Sequence, residues 1–595
     1  MDDPDGRKEK KKKMKSRGLV SIIAGSSVGT LIEWYDFYIF GNLATIISTQ
    51  FFPKENAAAS FLAILAIFGA GLVVRPFGAL VFGRLGDMIG RKYTFMVTLV
   101  LMGGATFGIG LVPTYSSIGF WAPVIVLLLR LLQGLALGGE YGGAATFVAE
   151  HSPVRERGFW TSWIQSSAGI AYVISLGVIL VVKNSMGTGS WEDWGWRVPF
   201  LVSIVMVVIS VYIRKNMAES PLFAKAKAEG RTSRNPLRDS FGNQENLKVV
   251  LLALFGVMLG IGVVSWSSIY YSQSFLIRTM FVDYDQANMI VMIGLLLGTP
   301  SCIFFGWLSD RIGGKVLLML GLLLSVLCFR PIFERMYQVG NLAHKVENIA
   351  QAAVFEKRAG LSSSTLDSLL TTSTTHFYTD GTVFQVIEKK VVVLGNVGKT
   401  ETSKSIRLTE RDKWELAFWV MVLMIIDMML YGPLAAYLVG MFPLKIRYTS
   451  LSLPYHIGYG IFGGMSPVIA TYLIGKARDA NTPDYYLAGL TYPIVLMCIS
   501  LVIGVVYLKD DRVGQLAMPV PSLFKIRLKK LLGFIWMGLG FVAVYFGVFV
   551  LGIPKVVSGN QDDLIFGVIM MVVITPVSAV GLFLFGRYAV RGDYV

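Results

Sequence analysis

The sequence predicts an all-α membrane protein made of two six-helix halves, two further C-terminal helices and a small polar insertion. Three observations carry that prediction. Of 595 residues, 54% are hydrophobic and 15% charged, and the mean hydropathy is +0.60, beyond what a soluble domain hides from water. Apolar runs of about twenty residues, the length that spans a bilayer, recur along the whole chain. A ten-residue motif also appears twice, once per half.

Residues 1–18 form a basic segment, Arg7 to Arg17 with a lysine run, like the flank of a signal sequence. The apolar stretch behind it continues into Glu33, Trp34, Tyr35 and Asp36 without a small-residue cleavage site, so it is expected to stay as a first helix. The first half, 19–213, holds runs near 19–47, 60–83, 93–112, 120–149, 159–182 and 196–213. A linker follows at 214–246, basic through Arg214, Lys215, Lys225, Lys227, Arg231, Arg234 and Arg238. The second half, 247–508, holds runs near 247–277, 287–309, 314–332, 414–440, 449–475 and 486–508. Residues 509–595 supply a loop and two more runs, near 530–552 and 564–587.

The second half is interrupted at 333–413 by a polar segment. Ala343 to Arg358 reads as a short helix, and Thr382 to Leu394 followed by Gly395-Asn396 as a strand and turn. Gly395 to Thr400 resembles the end of a phosphate-binding loop, but position 393, where that loop needs glycine, is Val393.

Lys and Arg total 54 against 38 Asp and Glu, a net charge of +16, yet they lie between apolar runs and not on one solvated face, which argues against nucleic acid. Their distribution puts both termini and the 214–246 linker in the cytoplasm and the 333–413 insertion outside. Cys302, Cys328 and Cys498 each fall in or beside an apolar run, so neither a disulfide framework nor a metal cluster is expected, and no cofactor is implied.

The repeated motif reads Gly83-Arg84-Leu85-Gly86-Asp87-Met88-Ile89-Gly90-Arg91-Lys92 and Gly306-Trp307-Leu308-Ser309-Asp310-Arg311-Ile312-Gly313-Gly314-Lys315. Its glycines permit a tight turn, and an aspartate beside basic residues can latch one conformation and release another. Gly83, Asp87, Gly90, Arg91, Asp310 and Arg311 are therefore the gating candidates.

Ionisable groups inside a bilayer are costly and face a cavity or a partner. Glu33, Asp36, Arg75, Arg130 and Glu140 stand out. Arg130, Gln133, Glu140 and Tyr141 share one helix stripe. At about 1.5 Å of rise per residue, depth pairs Asp36 with Arg130 and Arg75 with Glu140. Such pairs can be permanent and structural, whereas an acid left without a counter-charge can carry a proton. Span seven adds Trp266, Tyr270, Tyr271 and Gln273; span ten adds Tyr431 and Asp427, which can alternatively face water at the outer end. His456 in span eleven can titrate near neutral pH or simply pack.

Several segments together resemble the major facilitator superfamily and, within it, the metabolite:proton symporter family. They are Glu33 to Tyr38, Arg75 to Gly78, Arg130 to Gly134 with Gly138 to Gly142, Trp194 to Phe200, Glu219-Ser220-Pro221, and Phe442-Pro443 with Arg447-Tyr448-Thr449. The likeness covers about residues 18–332 and 414–508 and omits the insertion and the last two spans; Gly440 stands where many relatives are acidic. The resemblance implies that spans one, four, seven and ten line a central cavity. It further implies proton-coupled symport of a small polar metabolite, an organic acid or zwitterion, in a bacterial inner membrane. A different expectation is a transport-derived receptor that uses the 333–413 domain to bind a protein partner. No nucleophile with a base at helical spacing suggests an enzyme.

Overall fold

The computed structural model describes residues 4–52, 64, 67–215, 219–348, 351, 354–361, 368–393, 396–509, 523–557 and 567–594. Helix α1 is Pro4–Asn42. Among the described residues thirteen further helices are long and apolar enough to cross a membrane. They are α2 Ile67–Met88, α3 Arg91–Leu111, α4 Trp121–His151, α5 Val154–Met186, α6 Gly195–Lys215, α7 Gln244–Thr279, α8 Tyr284–Ile312, α9 Gly314–Gly340, α10 Glu410–Met441, α11 Leu444–Asp479, α12 Tyr485–Tyr507, α13 Arg527–Val557 and α14 Met570–Arg591.

The packing repeats as the motif does. Helix α1 lies on α5 as α7 lies on α11, and α2 crosses α4 as α8 crosses α10. Small residues bring the backbones together at these crossings. A Cβ at Gly138 would strike the Arg75 carbonyl, and one at Gly432 the Cys302 carbonyl at 2.8 Å. The halves meet where α2 packs on α11 and α5 on α8. Helices α7 and α10 are the most enclosed, with 89% and 83% of their apolar windows buried.

At one end of the bundle the insertion folds as an antiparallel meander of β1 Val354–Leu361, β2 Ser368–Phe377, β3 Val383–Val393 and β4 Asn396–Arg407, in the order β1-β2-β3-β4. The helix expected over Ala343 to Arg358 is absent. Among the described residues only a turn at Leu342–His344 is helical, and Val354 to Arg358 pair with the threonine-rich β2, from Val354 opposite Thr375 to Arg358 opposite Thr371. Branched and aromatic residues fit a pleated surface better than an isolated short helix. The strand expected from Thr382 is β3; the Gly395 end of its turn lies outside the described residues.

Among the described residues the sheet is tied to the second half. The Asp283 amide donates to the Ile406 carbonyl at 2.8 Å, and Gln286 exchanges two hydrogen bonds with the Leu408 backbone at 2.8 and 2.9 Å. Lys345 Nζ reaches Asp380 at 2.6 Å, Asp412 at 2.5 Å and the Thr382 hydroxyl at 2.9 Å. Burial alone lowers the Lys345 pKa, but the hydrogen bonds it donates to Asp380 and Asp412 outweigh it and raise it above its usual value. Burial likewise raises Asp380, but Lys345 and the Thr382 amide and hydroxyl hold it below the usual carboxylate range.

The pH window of this anchor follows from those directions. The Asp380 contribution is full above its unfolded pKa of about 4 and is lost as pH falls through the lower folded value. The Lys345 contribution is full below about 10.4 and is lost as pH rises through the higher folded value. Hydrogen-exchange protection around Thr382 should therefore stay level from about pH 5 to 9 and drop on acidification below about pH 4. Lys345→Met should remove about 1–2 kcal/mol of that protection at neutral pH.

The last two helices form a hairpin, α13 against α14, packed on the second half through the start of α7 and the end of α12. A Cβ on Gly581 would meet the Phe255 ring, Phe585 sits 5.2 Å from Tyr507, and Asp593 pairs with Lys248 at 3.1 Å. The Tyr594 hydroxyl donates to the Lys248 carbonyl at 3.2 Å, and Lys529 Nζ donates to the Tyr594 carbonyl at 2.7 Å.

Candidate functional site

The two motif copies occupy the end of the bundle opposite the sheet and lock the halves together. Gly90 and Gly313 take φ of +146° and +99°, the region that favours glycine, and turn the chain from α2 into α3 and from α8 into α9. Asp87 accepts from the Thr449 amide and hydroxyl at 2.8 Å each and from the Tyr448 amide at 3.3 Å. Asp310 accepts from the Gly158 and Phe159 amides at 2.7 and 2.8 Å. Each aspartate thus caps the first turn of an α-helix in the other half, where free amides and the helix dipole favour an anion. Gly83 allows the approach, since a Cβ there would lie 2.9 Å from the Thr449 Cα.

Around the first copy, Arg91 pairs with Asp87 at 3.1 Å and donates to the Leu444 carbonyl at 3.0 Å. Glu150 accepts from Arg447 across the halves at 3.1 Å and from the Ser220 hydroxyl. Glu150 and Arg447 are missing from the gating candidates because neither lies in the repeated motif. The second copy is asymmetric. Arg311 is exposed and stands over Trp307 at 3.9 Å, and the position that matches Arg91 is Gly314. Arg311, named among the gating candidates, therefore differs from Arg91 in lying at the surface.

Deeper in the bundle Glu33, Asp36, Arg75, Arg130, Gln133 and Glu140 are all buried, yet the pairings expected from depth do not form. Glu140 pairs instead with Arg214 at 2.9 Å and accepts from the Thr98 hydroxyl at 2.9 Å. Helix α6 continues through Lys215, so Arg214 belongs to the bundle and not to the linker. The signal was available: Phe200, Ser203, Val207, Ser210 and Arg214 step by three and four along one buried face. Glycine at position 29 makes room, because any Cβ there would collide with the Arg214 guanidinium.

Glu33 lies within hydrogen-bonding reach of Glu140 and close to Arg75. Arg130 donates to Gln133 at 2.9 Å, and Gln133 donates to Thr106 at 2.7 Å, whose side chain adjoins Asp36. This relay replaces the direct Asp36–Arg130 pair. The guanidiniums of Arg75 and Arg130 both lie over Phe37, at 4.5 and 4.8 Å, and Arg75 makes no ion pair among the described residues. Tyrosines 270, 455 and 459 surround Arg75, and His456 lies beside it against Gly138.

Asp427 is fully buried, not facing water, and Ser265 is its polar neighbour. Tyr270 stacks on Trp266 at 4.3 Å and faces Tyr38 across the halves at 6.5 Å. Tyr271, also a site candidate, is buried and packs at 5.0 Å on Phe333. Gln273 donates to Asn288 at 2.5 Å. At the sheet-bearing end a cleft of about 950 Å³ opens between α1, α5 and α8, lined by Asn42, Lys183, Tyr284 and Asn288 among others.

Two duplicated halves, latched at one end, cleft at the other and with a cluster of buried charges in the first half, define a membrane transporter of small solutes. A model of the Major Facilitator Superfamily matches residues 26–373, and the chain belongs to that superfamily. A second model, a family of unknown function (DUF6814), matches residues 526–595. The chain is 28% identical to the proline/betaine transporter of Salmonella typhimurium (strain LT2) over 81% of its length and 82% of the relative's. It is 33% identical to the shikimate transporter of Escherichia coli (strain K12), over 57% of this chain and 80% of that one. The solved structure of the proton:xylose symporter XylE bound to 6-bromo-6-deoxy-D-glucose shares the fold, with a TM-score of 0.56 at 15% identity over 83% of this chain and 97% of that one.

Proposed function

We propose that the protein is a proton-coupled symporter of a small organic acid or zwitterion, working by alternating access in a bacterial inner membrane with both termini in the cytoplasm. The reading rests on one observation: Glu33 stands between Glu140, already paired with Arg214, and Arg75, which makes no ion pair among the described residues. With a proton on the Glu33–Glu140 pair, its single negative charge is matched by Arg214, and Arg75 is free to take a substrate carboxylate in bidentate fashion. Without that proton, Glu33 competes for Arg75. Substrate and proton therefore favour one another, as linkage requires of a symporter.

The test is uptake into vesicles. Accumulation should follow an inward proton gradient and stop when a protonophore is added; uptake unchanged after collapse of both pH gradient and potential refutes the coupling. The 333–413 domain is proposed as separable and extracytoplasmic. Its removal, with a short linker joining α9 to α10, should leave a folded core that transports, and protease should reach it only from outside spheroplasts.

A further inference from the structure

Between α1 and α10 lies a second, smaller cavity of about 30 Å³, apart from the acids and arginines of the first half. That is about the share of one water in the liquid, so the space suits a single water or a small bare ion and no organic head group. Its lining takes Gln165 of α5 from the first half, and Ser265 of α7, Thr299 of α8 and Asp427 and Tyr431 of α10 from the second. Both carboxylate oxygens of Asp427, Oε1 of Gln165 and the Tyr431 hydroxyl are buried and make no hydrogen bond among the described residues. The Ser265 side chain neighbours both Asp427 and Tyr431. Thr299 donates its hydroxyl proton to the Leu295 carbonyl at 2.7 Å, which leaves its oxygen lone pairs free. Gly169 makes room for that oxygen, because a Cβ there would collide with it. Asp427 is 0% exposed and, among the described residues, the only charged residue in the lining.

We propose that Gln165, Ser265, Thr299, Asp427 and Tyr431 form a sodium site, separate from the Glu33–Glu140 pair, and that the ion joins the two halves. An unpaired carboxylate inside a bilayer is costly, and one monovalent cation cancels its charge. The other groups offer neutral hard oxygens, the ligand type that suits hard cations, and no soft sulfur or imidazole donor is needed. A divalent ion would leave a net positive charge in the membrane interior, and magnesium keeps several waters for which the cavity has no room. Potassium, the larger alkali ion, fits the same volume less well. Gln165 belongs to the first half and the other four residues to the second. When the halves part along α5 the ion loses the Gln165 oxygen, so sodium favours the arrangement in which α5 rests on α8 and α10. The site goes beyond the proton coupling proposed above and does not depend on it.

The test is a sodium chloride titration of the purified full-length protein, without solute or gradient, with N-methyl-D-glucamine chloride holding the ionic strength constant. Tryptophan fluorescence reads it, since Trp34 also lines the cavity, and thermal unfolding gives a second reading. Sodium should change the fluorescence saturably and raise the melting temperature, and potassium at the same concentrations should do neither. Asp427→Asn should weaken sodium binding about a hundredfold or more and Gln165→Leu about tenfold, because one removes the charge and the other a single neutral oxygen. Size-exclusion profiles report folding, and if Asp427→Asn does not fold, Gln165→Leu carries the test. No saturable sodium response, an equal response to potassium, or unchanged sodium affinity in either folded variant each overturns the site. Fluorescence that follows pH but not sodium overturns it too and makes Asp427 a proton carrier. Sodium binding with proton-independent uptake refutes the proton coupling alone, and proton-driven uptake without sodium binding removes this site alone.

Discussion

Glu33→Gln is expected to abolish concentrative uptake, bringing accumulation down to equilibration, while substrate binding and solute exchange across the membrane persist. The amide keeps the size and hydrogen-bonding reach of the side chain but cannot release a proton, so Arg75 stays available whatever the pH. In the wild type, alkalinisation should weaken binding as Glu33 competes for Arg75; in the variant that pH dependence should flatten. Arg75→Gln should act the opposite way, lowering affinity by about a hundredfold or more, since a buried carboxylate deprived of its counter-charge is strongly disfavoured. Binding isotherms at several pH values beside counterflow assays separate the two. A Glu33→Gln protein that still concentrates solute moves the coupling proton elsewhere, with Asp36 the next buried acid to examine.

The second large effect is expected at the latches. Asp87→Asn and Asp310→Asn each exchange a charged cap for a neutral one at the first turn of a helix in the opposite half. A hydrogen bond to a charged acceptor is worth about 1.5–3 kcal/mol, so each change should shift the balance away from the closed latch end by about tenfold to a hundredfold. Uptake should slow while equilibrium binding is largely kept. A cysteine placed in the latch region should become correspondingly more reactive from the cytoplasm. Loss of binding in a folded Asp87→Asn protein would place Asp87 in the substrate site.

Hydropathy reveals the spans because a bilayer imposes length and apolarity on every crossing helix, and the repeated motif reveals the latch because both turns need glycine at the same place. The partners of the charges are less legible. Depth is a one-dimensional coordinate: it sets Arg75 level with Glu140 but says nothing of which helix faces intervene, and Arg214 reaches Glu140 from α6. Arg214 is easily assigned to the linker because Lys215 follows it and ends the apolar run. Tyr270 and Tyr271 are adjacent, so the helix points them in different directions, one towards Tyr38 and the other towards Phe333. The insertion misleads for another reason: between Ala343 and Arg358 the local preference is weak, and pairing with β2 decides the strand.

The sheet and the C-terminal hairpin both ride on the second half, which leaves the halves unequal. One moves through lipid as six helices; the other drags eight together with a sheet domain beyond the bundle's end. Motion in a membrane is governed by viscosity, so when the halves rock, each turns in inverse relation to its resistance. Seen from the bilayer, the first half should swing and the second should hold nearly still. The hairpin then serves as a keel, with Asp593 and Tyr594 fastening it at Lys248 so that rotation is not lost as slippage between α7 and α14. Polarised fluorescence from a rigid label on each half would compare the two tilts directly, and cutting Tyr594 and Asp593 away should make them more nearly equal.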